Sequence, residues 1–337
     1  MSLRTADKVG LGLVAAGAVV GLVLLLSGKG GGEAAGFAAS PSFLAPEERL
    51  LHERLEALFG APSAPRAPAG FVGAGLPPPG AEGEARLTTG RAVWRTQCLQ
   101  CHGPAGGADT ATAALLNPRP RDFGRGIVKF TGTPAGAPPR REDVERSVRR
   151  GLPYTAMNGF DALPEAALQS VVDFTWWLLI RGAVWNDARV RMQSGAAADA
   201  ALAAAAEAVA AAWDSARVLR LEVPSAPPDS SAARARGAAL FADPLTGCAT
   251  CHAADGGGRG PLVWSAAEER WLLTDAWGIP AQPRDLRKGQ YHGGGRPEDL
   301  FRRVHAGVKG TPMPGAGARL TPEQIWDLVA HLRALAE

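Results

Sequence analysis

Residues 98–102 read Cys-Leu-Gln-Cys-His, and residues 248–252 read Cys-Ala-Thr-Cys-His. These two pentapeptides use all four cysteines of the 337-residue chain and two of its six histidines. A C-x-x-C pair alone suits a zinc site, a redox disulfide or a thioether anchor for haem. The residues adjoining and surrounding each pair decide among these chemistries.

A four-cysteine zinc site needs the pairs to converge, but they lie 147 residues apart and the adjoining His102 and His252 would be left unexplained. A thioredoxin-like pair needs βαβ surroundings, and no strand-rich pattern flanks either pair. C-x-x-C-H is instead the attachment signature of c-type haem. Both cysteines must reach the vinyl positions on one porphyrin edge, and the next residue must turn beneath the ring to bring its imidazole to the iron. One helical turn supplies that geometry. The expectation is two covalently bound haem c groups, one on Cys98 and Cys101, one on Cys248 and Cys251, with His102 and His252 as iron ligands.

The flanking sequence is duplicated. A short helix with a small residue and an aromatic precedes each motif, in TGRAVWRTQ (89–97) and ARGAALFADPLTG (235–247). A Pro-Arg-Asp triplet comes after it, at Pro120–Asp122 and Pro283–Asp285, then a charged helix ending at Gly151 or Gly307, a residue suited to the end of a helix. Next come the methionine loops, LPYTAMNGF (152–160) and VKGTPMPGAG (308–317), and apolar closing helices initiated by Pro164-Glu165 and by Pro322-Glu323. Thr321, Pro322 and Gln324 make cap, first-turn proline and capping-box partner. This ordered correspondence is an internal repeat.

Met157 and Met313 stand 55 and 61 residues after His102 and His252, at matching places in the two copies. Each is a candidate second axial ligand, a soft thioether that raises the reduction potential relative to a second imidazole. The competing reading is that methionine only fills a core; Asn158 stands where the second copy has Pro314. His292, in GQYHGGG, is an alternative ligand in a loop.

These blocks resemble class I-type cytochrome c domains fused in tandem, as in diheme cytochromes c. The resemblance covers residues 87 to 337 apart from a central connector. It implies an all-α fold of two haem domains, each with crossing N- and C-terminal helices. Ala92 and Trp94 would then meet the Phe174–Trp177 segment, and Ala239 and Phe241 the Trp326–Leu332 segment. Arg121 and Arg284 become candidate haem-propionate partners, since Arg binds carboxylates bidentately; the alternative is a turn arginine pairing with its neighbouring Asp.

Outside the repeat, residues 1–27 contain an apolar run, Val9–Leu26, of 18 uncharged residues preceded by Arg4 and Lys8. It is long enough to span a bilayer as an anchor with a cytoplasmic N-terminus, a cleaved signal peptide being the alternative. Residues 28–86 read as a tether with a short amphipathic helix over 45–60, Leu50, Leu51, Leu55 and Leu58 falling at helical spacing, and a Pro/Gly-rich stretch with no core of its own. The haem domains are expected at 87–185 and 231–337, joined by an Ala-rich, weakly packed helix and a linker at 186–230.

Net charge is +3 with no basic tract, which gives no ground for nucleic acid as a partner. The expected function is electron carriage rather than enzymatic turnover, within a respiratory chain, on the periplasmic or outer face of the cytoplasmic membrane. Partners would be redox proteins: a membrane oxidoreductase or oxidase on one side, a soluble cytochrome or cupredoxin on the other. A diheme peroxidase-type enzyme and a haem subunit of a larger membrane oxidoreductase are the alternatives.

Overall fold

The computed structural model describes residues 44–337, so the apolar run Val9–Leu26 lies outside the described residues. Among the described residues, no helix is long and apolar enough to cross a membrane. The described residues are helical with two small hairpins. In order it forms α1 (Pro46–Phe59), β1 (Gly60–Ala61), β2 (Ala64–Pro65), α2 (Ala81–Gln97), α3 (Leu99–His102), α4 (Ala111–Leu115), α5 (Arg141–Arg150), α6 (Glu165–Gln193) and α7 (Ala198–Ala216). The second half forms α8 (Ser231–Ala242), α9 (Cys248–His252), β3 (Trp264–Ser265), β4 (Arg270–Trp271), α10 (Pro297–Ala306) and α11 (Pro322–Ala334).

Each half is organised around one helix crossing, α2 on α6 and α8 on α11. Glycine permits both. A Cβ at Gly90 would run into the carbonyl oxygen of Ser170, and one at Gly237 into that of Asp327. One turn later, Trp94 meets Phe174 edge-on at 5.6 Å and Phe241 meets His331 at 5.2 Å. The aromatic contacts are therefore where the resemblance implies, but the small residues are not. Ala92 and Ala239 are exposed. They stand two residues after the glycines, on the opposite face of their helices, whereas Gly90 and Trp94, or Gly237 and Phe241, share a face at i and i+4.

The start and stop signals behave as their chemistry requires. Thr321 Oγ1 accepts from the Gln324 amide at 3.3 Å, and Gln324 Oε1 accepts from the Thr321 amide at 2.9 Å, closing the capping box. α5 and α10 end at Gly151 and Gly307, with φ of 67° and 73°.

Two segments read as tether and connector belong to the first core instead. α1 buries Leu51, Leu55 and Phe59 and leaves Leu50 40% exposed, so the buried stripe runs i, i+4, i+8. The Pro/Gly-rich stretch after it is fastened by two indoles: Trp177 Nε1 donates to the Arg66 carbonyl at 2.8 Å and Trp176 Nε1 to the Ala74 carbonyl at 2.9 Å. The helix read as weakly packed is α7. It buries Ala201, Leu202, Ala205, Val209, Trp213 and Ala216 against α1 and α6, with Trp213 edge-on to Trp176 at 4.7 Å. Alanine-rich faces permit that close approach. α6 itself, 29 residues long, continues past the expected boundary at 185 and is covered over most of its circumference.

The second core is smaller, built from Phe241, Leu286, Leu300, Phe301, Val304, Ile325, Trp326, Leu328, Val329 and Leu332. Between its C-x-x-C-H turn and its Pro-Arg-Asp triplet lies an insertion that the first half lacks, carrying β3, β4 and a strap through Asp275 and Trp277. The strap crosses to the first half: Trp277 Nε1 donates to the Asp122 carbonyl at 3.0 Å, and Lys129 reaches Asp275 at 3.3 Å. Elsewhere on the seam, Lys309 Nζ donates to Thr133 Oγ1 at 2.6 Å and Arg303 to the Thr131 carbonyl at 3.1 Å.

Candidate haem sites

Cys98 ends α2, and the chain turns at once into α3, with the Cys101 and His102 amides donating to the Cys98 carbonyl at 3.2 and 2.9 Å. In the second half Cys248–His252 is the turn α9. All four cysteines are half-buried and none is in a disulfide. Burial, reinforced by Cys101, pushes the Cys98 thiol up to about 12, and burial raises Cys248 as well. Among the described residues, no group of three or more His, Cys, Asp or Glu side chains could hold a metal ion. The two pairs do not converge.

The Pro-Arg-Asp triplets have the same role in both halves. His102 Nδ1 lies 3.1 Å from the Arg121 carbonyl oxygen, and His252 Nδ1 3.3 Å from that of Arg284. A carbonyl only accepts, so Nδ1 carries the proton and Nε2 keeps its lone pair for a metal. Burial pushes both imidazoles below their ordinary pKa, which favours that neutral form. His102 is also stacked on Phe123 at 5.0 Å. The aspartates cap the next helical turn, Asp122 accepting from the Gly124 amide at 2.7 Å and Asp285 from the Arg287 amide at 3.2 Å. Arg121 reaches Asp275 at 3.8 Å and lies 4.5 Å over the Trp277 ring. Arg284 is exposed.

The methionine loops are built alike. The Leu152 amide donates to the Met157 carbonyl at 2.9 Å, and the Val308 amide to the Met313 carbonyl at 3.2 Å. Thr155 Oγ1 receives the Met157 amide at 3.0 Å, and Thr311 Oγ1 the Met313 amide at 3.3 Å. Tyr154 and Gly310 occupy equivalent positions with φ of 57° and 70°. A Cβ at Gly151 or Gly307 would press on the Met157 or Met313 carbonyl. Asn158 in place of proline therefore leaves the loop unchanged. The threonine two residues before each methionine is a site residue that the sequence reading misses, although T-x-M recurs in both copies.

The residues present also fit a haem's carboxylate edge. Arg121 Nη1 and His292 Nε2 are buried with no hydrogen-bond partner, the condition of donors awaiting an acceptor.

Comparison with known proteins agrees with this division. Residues 234–336 match the family described as cytochrome c, and residues 85–174 the family described as cytochrome C oxidase, cbb3-type, subunit III. Among solved structures, a chain of the Kuenenia stuttgartiensis reducing HAO-like protein complex superposes with a TM-score of 0.56 at 28% identity, over 74% of this chain and 96% of that one. No curated protein sequence matches the chain.

Proposed function

Starting from two cytochrome c domains in tandem, with covalently bound haem c and thus electron carriage as their chemistry, we propose a membrane-held electron wire. It passes electrons between a membrane oxidoreductase and a soluble cytochrome or cupredoxin at the outer face of the cytoplasmic membrane. The observation that carries this reading is the likeness of the two methionine loops. His102 and Met157 would hold one iron and His252 and Met313 the other, which would leave neither iron an open position for a substrate. A bound haem c supplies one-electron exchange; the chain's residues fix the imidazole tautomer, hold the thioether and keep water from the iron.

The Val9–Leu26 run supplies the anchor, and the charge order before it keeps the haem domains outside. Carbonate-washed membranes should retain the full chain and release a variant lacking residues 1–27. Full-chain recovery in the wash would remove the anchor. Reduced protein given peroxide should show no steady consumption; turnover would favour the peroxidase-type reading over the carrier. A second reading is favoured by the solved neighbour, which belongs to a complex named reducing HAO-like: the chain serves as a haem subunit of a larger oxidoreductase. Co-purification of a stoichiometric redox subunit from native membranes distinguishes that case.

A further inference from the structure

The two methionine loops share their hydrogen bonds but not their surroundings. In the first, Pro153, Tyr154, Ala156, Asn158 and Gly159 are exposed, Tyr154 by 59%. In the second, Pro314 is the exposed residue between Val308 and Gly317. The strap of the second domain covers that loop. Trp277 lies so close to Gly310 that a Cβ there would meet its Cη2 and Cζ3 atoms at 2.6 Å, and the Ala276 amide donates to the Gly310 carbonyl at 2.8 Å. Gly310 holds the position of Tyr154 in the first loop. The copies differ there for a steric reason, because the indole fills the space a side chain would need.

The strap is a built turn. Asp275 Oδ1 accepts from the Trp277 and Ile279 amides at 3.0 and 3.1 Å, and the Asp275 amide donates to the Ile279 carbonyl at 2.8 Å. It is seated on the first domain, with Trp277 Nε1 on the Asp122 carbonyl at 3.0 Å and the Arg121 guanidinium 4.5 Å over the ring. The first domain also reaches the loop directly. Ile127 Cγ2 stands 3.2 Å from where a Gly310 Cβ would lie, and Thr133 Oγ1 accepts from Lys309 Nζ at 2.6 Å. Gly310 is thus enclosed between strap and first domain, three residues before Met313. The enclosure answers a need of this sequence. Residues 307–317 carry Gly307, Gly310, Gly315 and Gly317, where 151–161 carry Gly151 and Gly159. Glycine loses the most backbone freedom on ordering, so the second loop depends more on contacts from outside.

We propose that Trp277 is a positioning residue for Met313: seated on the Arg121–Asp122 turn of the first domain, it holds the second methionine loop closed, so that Met313 keeps its iron only while the two domains are packed together, whereas Met157 is held by its own domain. This rests on the histidine–methionine reading above.

The test compares Trp277→Ala and Trp277→Phe in the haem-loaded full chain. Trp277→Ala should lose about half of the far-red Met–iron absorption and lower one midpoint. Trp277→Phe keeps a ring on Gly310 and should retain both. Added to Met157→Leu, Trp277→Ala should remove the remaining band; added to Met313→Leu, it should change nothing further. An unchanged band in Trp277→Ala, or a loss that falls on the Met157 site, overturns the proposal. An unchanged band in Met313→Leu alone overturns the ligand reading and the proposal with it. Amide hydrogen exchange separates local from general loosening. In Trp277→Ala the Val308 amide should exchange faster and the Leu152 amide at its original rate; equal acceleration of both overturns the positioning role. Where Trp277→Ala does not fold, the same exchange measured on Trp277→Leu gives the decision.

Discussion

The Nδ1 of His102 lies 3.1 Å from the carbonyl oxygen of Arg121, so the triplet acts on the imidazole through backbone and not through its side chain. Arg121→Gln should accordingly leave haem attachment and the His102 coordination unchanged. It should lower the midpoint of the first haem, because a positive charge has been taken from beside the iron. Loss of the six-coordinate low-spin spectrum would show that the guanidinium, and not the carbonyl, holds the site.

The two methionine loops have the same hydrogen bonds, so they should answer alike to substitution. Met157→Leu and Met313→Leu should each abolish about half of the far-red Met–iron absorption and lower the potential of one haem only. An unchanged spectrum in either variant removes that methionine from its iron.

Gly90 and Gly237 stand where two helices touch. Gly90→Ala or Gly237→Ala forces a Cβ against a carbonyl and should cost about 1–3 kcal/mol of stability in the domain concerned, by analogy with overpacked cores. Chemical unfolding monitored by the tryptophan fluorescence of each variant measures this.

Leu55 is fully buried between α1 and the first haem domain. Leu55→Ala should cost about 2–5 kcal/mol, as for other buried leucines. A true tether would tolerate it within about 0.5 kcal/mol.

Lys309 holds the Met313 loop to Thr133, and burial keeps its ammonium down to about 8. Unfolded, it titrates near the ordinary lysine value of about 10.4. Between these values the unfolded chain binds more protons, so this group makes stability rise with pH from about 8 to about 10.4. Below that window it is charged in both states and its burial cost is fully present. Lys309→Met should flatten this part of the stability–pH curve; an unchanged slope would contradict the buried, depressed lysine.

The features legible in the sequence were those that repeat locally. Cys98–His102 and Cys248–His252, the two glycine-ended helices, the Thr321 capping box and the duplicated methionines all depend on residues within a few positions of each other. The crossing glycines were legible too, had the i, i+4 relation to Trp94 and Phe241 been traced instead of the nearest alanine. The long-range features escaped. Proline and glycine made residues 61–76 look uncommitted, because nothing nearby shows that Trp176 and Trp177, about a hundred residues on, would bind their carbonyls. The low side-chain bulk of α7 read as weak packing, when it allows close packing. Asp275, Trp277 and Lys129 meet only across the seam, and no local pattern joins them.

The central claim, two irons each closed by histidine and methionine, is tested most directly by an optical redox titration of the haem-loaded full chain with and without an exogenous ligand such as imidazole. The account predicts two one-electron steps whose midpoints and spectra do not change on adding the ligand. A ligand-dependent shift of either step would reveal an open or displaceable iron position and contradict it.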